Sequence, residues 1–188
     1  RRRQRQMCIR DRTLNQARSK LGPQHRITLS LLNNLGVMYS AEGRLEESEV
    51  LYREALTTKR AVFGDTHLST LNTIHNLGTL LHRMKKNDEA CDLLYEELND
   101  RIELQGDEAR DTLKVMSLLG RIQIESGNAS EGEALLGECI RMSVASFGNE
   151  PPDALIYQTA NDLLKLYQRS GRPDEVIAPM VELCEEHE

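Results

Sequence analysis

The sequence predicts an all-α chain built from repeated antiparallel helix pairs. Three observations predict it: glycines recur with a fixed period, apolar residues recur at three and four within each period, and turn residues separate the helical stretches. Leu21-Gly22, Phe63-Gly64, Gln105-Gly106 and Phe147-Gly148 follow one another at 42 residues, and Leu35-Gly36, Leu77-Gly78 and Leu119-Gly120 keep the same step.

Residues 13–22 read as the end of a truncated preceding repeat. Repeat 1 is expected over 23–64. Its first helix carries Leu29, Leu32, Leu35, Gly36 and Tyr39 and breaks at Gly43. Its second helix runs from Leu45 to Phe63, with Glu46, Glu47 and Glu49 near the positive end of the helix dipole and Lys59 and Arg60 near the negative end. Gly64 is expected to end it in a left-handed conformation.

Repeat 2, over 65–106, carries Leu71, Ile74, Leu77, Gly78 and Leu81, then Asp88, Glu89, Ala90, Leu93, Leu94 and Leu98. Its turn, Lys85-Lys86-Asn87, lacks glycine, and Asn87 is expected to take the tight conformation. Repeat 3, over 107–148, carries Leu113, Met116, Leu119 and Gly120, the turn Gly127-Asn128, and Leu135, Leu136 and Ile140.

Repeat 4, over 149–188, diverges. Pro151-Pro152 adds about two residues, so Leu163, Tyr167 and Gly171 realign after the shift and Leu164 stands where glycine stood. Pro173 suits a helix start, but a proline inside a helix, as Pro179 would be, costs about 3 kcal/mol. A kinked or late-starting last helix is expected.

Gly36, Gly78 and Gly120 fall inside helices, where glycine costs about 1 kcal/mol relative to alanine. Close contact between paired helices would offset that cost. Small residues of the second helix, such as Ser48 and Ala90, would then touch backbone.

The first twelve residues, RRRQRQMCIRDR, are expected to be non-native. A transposase-library sequencing adapter, read as codons, translates to the residues from Arg2 to Asp11. Setting aside their six arginines and one aspartate moves the formal charge from −6 to −11. So acidic a chain is not expected to bind nucleic acid, which requires a clustered basic face. The native amino terminus is then expected to be missing. The longest uninterrupted apolar runs are only a few residues, far short of the ~20 residues that cross a bilayer.

Cys91, Cys139 and Cys184, which remain once Cys8 is set aside, are widely spaced without CxxC or paired histidines. They read as reduced thiols in helices of an intracellular protein, not as a disulfide framework or a zinc site.

The stretch "LGPQHRITLSLLNNLGVMYSAEGRLEESEVLYREALTTKRAVFGDTH", with its "NNLG..Y...GR.EE.E.LY..AL" pattern and a linker ending in His25 and again in His67, resembles the 42-residue tetratricopeptide repeats of kinesin light chains and related proteins. The resemblance covers residues 13 to about 185. It implies an α-solenoid, a right-handed superhelix of three regular repeats with a partial first and a degenerate last one. The first helices would line a concave groove that receives a peptide.

In that frame Asn33, Val37 and Ser40 share a face opposite Leu32, Leu35 and Tyr39, and Asn33 and Asn34 match the family's paired asparagines, one of which reaches a bound peptide's backbone. The same register gives His75, Thr79 and His82 in repeat 2, Ser117 and Arg121 in repeat 3, and Asn161, Lys165 and Gln168 in repeat 4. Arg121 and Lys165 could meet an acidic segment of a partner. They read equally as solvated helix residues. The family members that read tryptophan-acidic peptides use a richer basic groove than this one, so a polar groove gripping backbone is expected instead.

His75 and His82 lie about 10 Å apart along a helix, too far to share a metal, and no metal or cofactor is expected. His25 and His67 read as structural linker residues. No phosphate loop, GxSxG elbow or HExxH occurs, and pairs such as Glu46-Glu47 read as solvated, so no catalysis is expected. The leading expectation is a cytoplasmic adaptor that binds a partner segment with affinity on the order of micromolar, since ordering that segment costs about 2–5 kcal/mol. The alternative is a regulatory or sensor array fused to a catalytic or nucleotide-binding domain lost with the gene ends.

Overall fold

Each helix starts and stops where local chemistry requires it. The computed structural model describes residues 2–147 and 154–170. It places there α1 (Arg2–Leu21), α2 (Arg26–Ala41), α3 (Leu45–Phe63), α4 (Leu68–Arg83), α5 (Asn87–Gln105), α6 (Arg110–Glu125), α7 (Ala129–Phe147) and α8 (Ala154–Ser170), with no strand among the described residues. α1 runs unbroken through Arg12, the last residue of the segment expected to be non-native. Gly148, Pro151, Pro152, Gly171, Pro173, Pro179 and Cys184 lie outside the described residues, and so does the altered last helix expected from the prolines.

The linker histidines are helix caps. His25 and His67 are extended, and their Nδ1 atoms accept from the backbone N–H of Ile27 (3.2 Å) and Ser69 (3.1 Å), satisfying donors that a helix start leaves free. Ala109 stands at this place in the third pair and makes no side-chain cap. A second device recurs in all three pairs. The hydroxyls of Thr28, Thr70 and Thr112 donate to the carbonyls of Gly22, Gly64 and Gly106 at 2.8, 2.8 and 2.9 Å, tying each first turn to the linker before it.

Gly64 ends α3 with φ 89° and ψ 167°. That is an extended, positive-φ conformation open in practice only to glycine, not the left-handed helical stop expected from sequence. The turns inside the pairs turn on Gly43 (φ 81°), Lys85 (φ 62°) and Gly127 (φ 94°). Lys85, not Asn87, therefore takes the left-handed conformation in the second pair, because it occupies the repeat position of the two glycines. Asn87 instead opens α5 and pairs its Oδ1 with His82 Nδ1 at 3.1 Å. A left-handed non-glycine residue costs roughly 1 kcal/mol or more. Lys85→Gly is expected to raise stability by about 0.5–1 kcal/mol in urea unfolding, and an unchanged midpoint would show that the turn holds no strain.

Helix contact at the interior glycines is close. Ser48 Oγ donates to the Gly36 carbonyl at 2.7 Å, and a methyl group on Gly36 would stand 2.7 Å from Cε1 of the Tyr52 ring. A methyl on Gly120 would stand 2.6 Å from Leu136 Cδ2 and 3.1 Å from the Gly132 carbonyl oxygen. Residues 48, 90 and 132 hold one repeat position, filled by Ser, Ala and Gly, and all three are buried. The glycine in the first helix and the small residue in the second are one device.

The chain falls into two compact units that divide between Leu93 and Leu94, within α5. In the first, α1 packs on α2, α2 on α3 and α3 on α4. Leu14, Leu29, Leu32, Leu35, Tyr39 and Ala55 form its core, with Leu31, Leu51 and Phe63 against it. In the second, α6 packs on α7 and α7 on α8, and Leu136, Ile140, Ala160, Leu163 and Tyr167 cluster with Ile124. The first helices of successive pairs also touch, α2 with α4 in one unit and α6 with α8 in the other. That contact sets polar residues of neighbouring repeats side by side.

Candidate functional site

In the first unit, the face shared by α2 and α4 carries a polar network. Asn33 is half-buried, and its Oδ1 accepts from Thr73 Oγ1 and from Asn76 Nδ2, each at 3.3 Å. Thr73 in turn accepts from Lys59 Nζ at 2.7 Å, and Lys59 also donates to the Ser69 carbonyl at 3.0 Å. Among the described residues, nothing pairs with the Asn33 Nδ2 donors or the Asn76 Oδ1 acceptor.

Asn34 and Val37 are exposed on the same helix, whereas Ser40 accepts from Arg83 of α4. His75, Thr79 and His82 are half-buried. Thr79 spends its hydroxyl on the His75 carbonyl at 2.9 Å, and His82 is engaged by Asn87.

In the second unit, the expected residues divide. Ser117 is 3% exposed and shares a hydrogen bond with Thr159 at 2.8 Å, so its hydroxyl is spent within the protein and does not face outward. Arg121 stands 3.5 Å from Asp162, so its cation already has a carboxylate. Burial pushes the Asp162 carboxyl upward in pKa, and Arg121 and Lys165 pull against that. Asn161, Lys165 and Gln168 are exposed on α8.

Sequence reasoning missed Lys59, Thr73, Asn76 and Asp162. Lys59 was assigned to the helix dipole, but it is 4% exposed, and burial alone lowers its pKa to about 8. Spacing could have revealed it: Ser48, Tyr52, Ala55, Leu56 and Lys59 fall on one helical face, and all are buried. Arg101, 42 residues later, is a second buried cation at the same repeat position, 2.7 Å from the buried carboxylate of Glu97. Ala55 stands where that glutamate would be, so Lys59 turns its protons to Thr73 and Ser69.

Helix pairs repeating at a fixed step, with first helices of successive pairs touching within each unit, define a helical-repeat solenoid. The chain belongs to the tetratricopeptide repeat family, whose model matches residues 9–61, 28–90 and 69–143. Arrays of this family are protein-interaction scaffolds, and the chain is one. No curated protein sequence matches it. Two crystal structures of a candidate kinesin light chain from Podosopora anserina, with nearly identical TPR-like repeats, superpose with TM-scores of 0.82 and 0.81 at 18% identity, covering 97% of this chain and 85% of theirs. BtubC (BKLC) from P. vanneervenii superposes with a TM-score of 0.78 at 16% identity, covering 97% of this chain and 70% of its own. At these identities the likeness is one of fold. Among the described residues, no helix is long and apolar enough to cross a membrane.

Proposed function

We propose that this chain is a non-enzymatic adaptor of the kinesin light chain kind, which works in the cytoplasm and holds an extended segment of a partner protein against the first helices of its repeats. The observation that carries the reading is the open pair of groups at Asn33 and Asn76. Two half-buried amides bond to each other by one edge, leaving a donor on Asn33 and an acceptor on Asn76 without partners among the described residues. A peptide unit offers the complementary carbonyl and N–H. Half-buried amides discriminate because a bound chain that failed to pair them would leave them desolvated, at a cost of about 1–3 kcal/mol.

Among the expected groove residues of the second unit, Arg121 is paired and Asn161, Lys165 and Gln168 are the exposed ones, which supports a polar wall more than a basic one. An acidic partner segment would meet Lys165 first.

Panning a random-peptide display library against the chain tests the proposal. Recovered peptides are expected to bind at micromolar affinity and to lose about tenfold, close to 1.4 kcal/mol, on Asn33→Ala or Asn76→Ala. Peptides that bind the double variant as tightly as the natural chain would place the binding surface elsewhere.

A further inference from the structure

We infer that Lys59, on the second helix of a pair, is a positioning residue that turns the amide of Asn33 so that its N–H groups, and not its carbonyl oxygen, face a partner. The consequence for partner choice rests on the binding reading above, but the orientation itself does not.

An ammonium can only donate. Where Lys59 Nζ meets Thr73 Oγ1 at 2.7 Å, the threonine oxygen must therefore accept, and its own proton has to go elsewhere. Two acceptors are within reach, the Ser69 carbonyl at 3.1 Å and Asn33 Oδ1 at 3.3 Å. The Ser69 carbonyl already accepts from Lys59 at 3.0 Å and, as a helix carbonyl, from the backbone four residues on. Asn33 Oδ1 is the less crowded of the two.

Asn76 Nδ2 gives the same oxygen a second donor, so two groups of α4 hold the Asn33 carbonyl inward. The opposite orientation requires both amides to flip. The Thr73 oxygen would then accept from Lys59 and Asn33 together while its proton crowded onto Ser69. Without the ammonium, that arrangement costs much less. A cation buried on one helix thus fixes the hydrogen-bonding sense of an amide on another, through a threonine on a third.

The contrast with Arg101 shows why this lysine is spared a conventional partner. Arg101 bonds Glu97 at 2.7 Å along its own helix, whereas Ala55 leaves Lys59 no carboxylate there and its protons cross to α4. Buried cations without a carboxylate are costly, and a positional role accounts for keeping one.

The side-chain amide resonances of Asn33 and Asn76 in the whole chain test the inference without any ligand. They can be assigned by their loss in Asn33→Asp and Asn76→Asp. The natural chain should give one set. Lys59→Met and Thr73→Val should each split the set in two or broaden it by exchange, and Thr73→Ser, which keeps the hydroxyl, should restore a single set. Thermal melts of each variant confirm that it is folded. A role confined to packing would leave one unshifted set whatever happens to the melting temperature, and a single set in Lys59→Met and Thr73→Val overturns the inference. Splitting in Thr73→Ser overturns it too, since the hydroxyl would then not be the relay. A correct amide pattern with no peptide recovered from the library would sink the binding reading alone.

Discussion

Gly132→Ala is expected to destabilise the chain by about 1–2 kcal/mol, while Gly137→Ala, five residues along the same helix, is expected to stabilise it by about 0.5–1 kcal/mol. Both substitutions remove a glycine from α7, so both gain the same helix propensity. They differ in what the new methyl meets. At position 132 it would stand 2.6 Å from the Gly120 carbonyl oxygen, 2.5 Å from Ile124 Cγ1 and 3.0 Å from the Ile124 backbone nitrogen.

Two of those three atoms belong to the backbone of α6, which can give way only if the whole helix moves. At position 137 the nearest atom is the tip of Arg141, at 3.8 Å. Overpacking typically costs 1–3 kcal/mol, more than the roughly 1 kcal/mol that alanine gains over glycine in a helix. Urea unfolding of the two variants measures the difference directly. If Gly132→Ala gains stability as Gly137→Ala does, α6 and α7 are not packed backbone to backbone.

That contact marks how far the sequence could be read. The periodic Gly36, Gly78 and Gly120 were visible because one residue type recurs. Their opposite numbers were harder, because Ser48, Ala90 and Gly132 share only small size. Helix pairs and turns were legible for the same reason: a period imposes the same backbone need on each copy. Lys85 was the exception, since an exposed lysine at a left-handed position gives no chemical sign of its conformation.

The site was less legible because it depends on which polar groups neighbouring repeats consume. Helical register gave Asn33 and Ser117 the same standing. Asn33 keeps its amide N–H groups open, while Ser117 has a single hydroxyl and shares it with Thr159. Arg121 looked like a free cation because Asp162 lies on another helix, beyond Pro151-Pro152, where the fixed period no longer identifies the neighbour.

Lys59 leads to the largest expected response to solution conditions. Its folded pKa is lowered to about 8 by burial, whereas in the unfolded chain it returns to the ordinary value of 10.5. Between those two values the unfolded chain binds more protons, so stability rises with pH across that window. The protonated amine is the costly form in the fold. Its full cost applies below pH 8 and amounts to about 3 kcal/mol for a shift of this size.

Tyr52 opposes the rise at the upper end. Burial raises its phenol from the ordinary 10 to about 12, so above pH 10 the folded chain holds the extra proton and stability falls. A maximum close to pH 10 is therefore expected in urea midpoints measured from pH 7 to 11. Lys59→Met removes the charge and should flatten the climb between pH 8 and 10. At pH 7 its gain should be smaller than about 3 kcal/mol, because the bonds to Thr73 and Ser69 go with the ammonium. The difference between the natural chain and Lys59→Met isolates this one group from every other lysine and tyrosine that titrates there. A difference that does not change with pH would mean that the amine reaches water and is not desolvated in the fold.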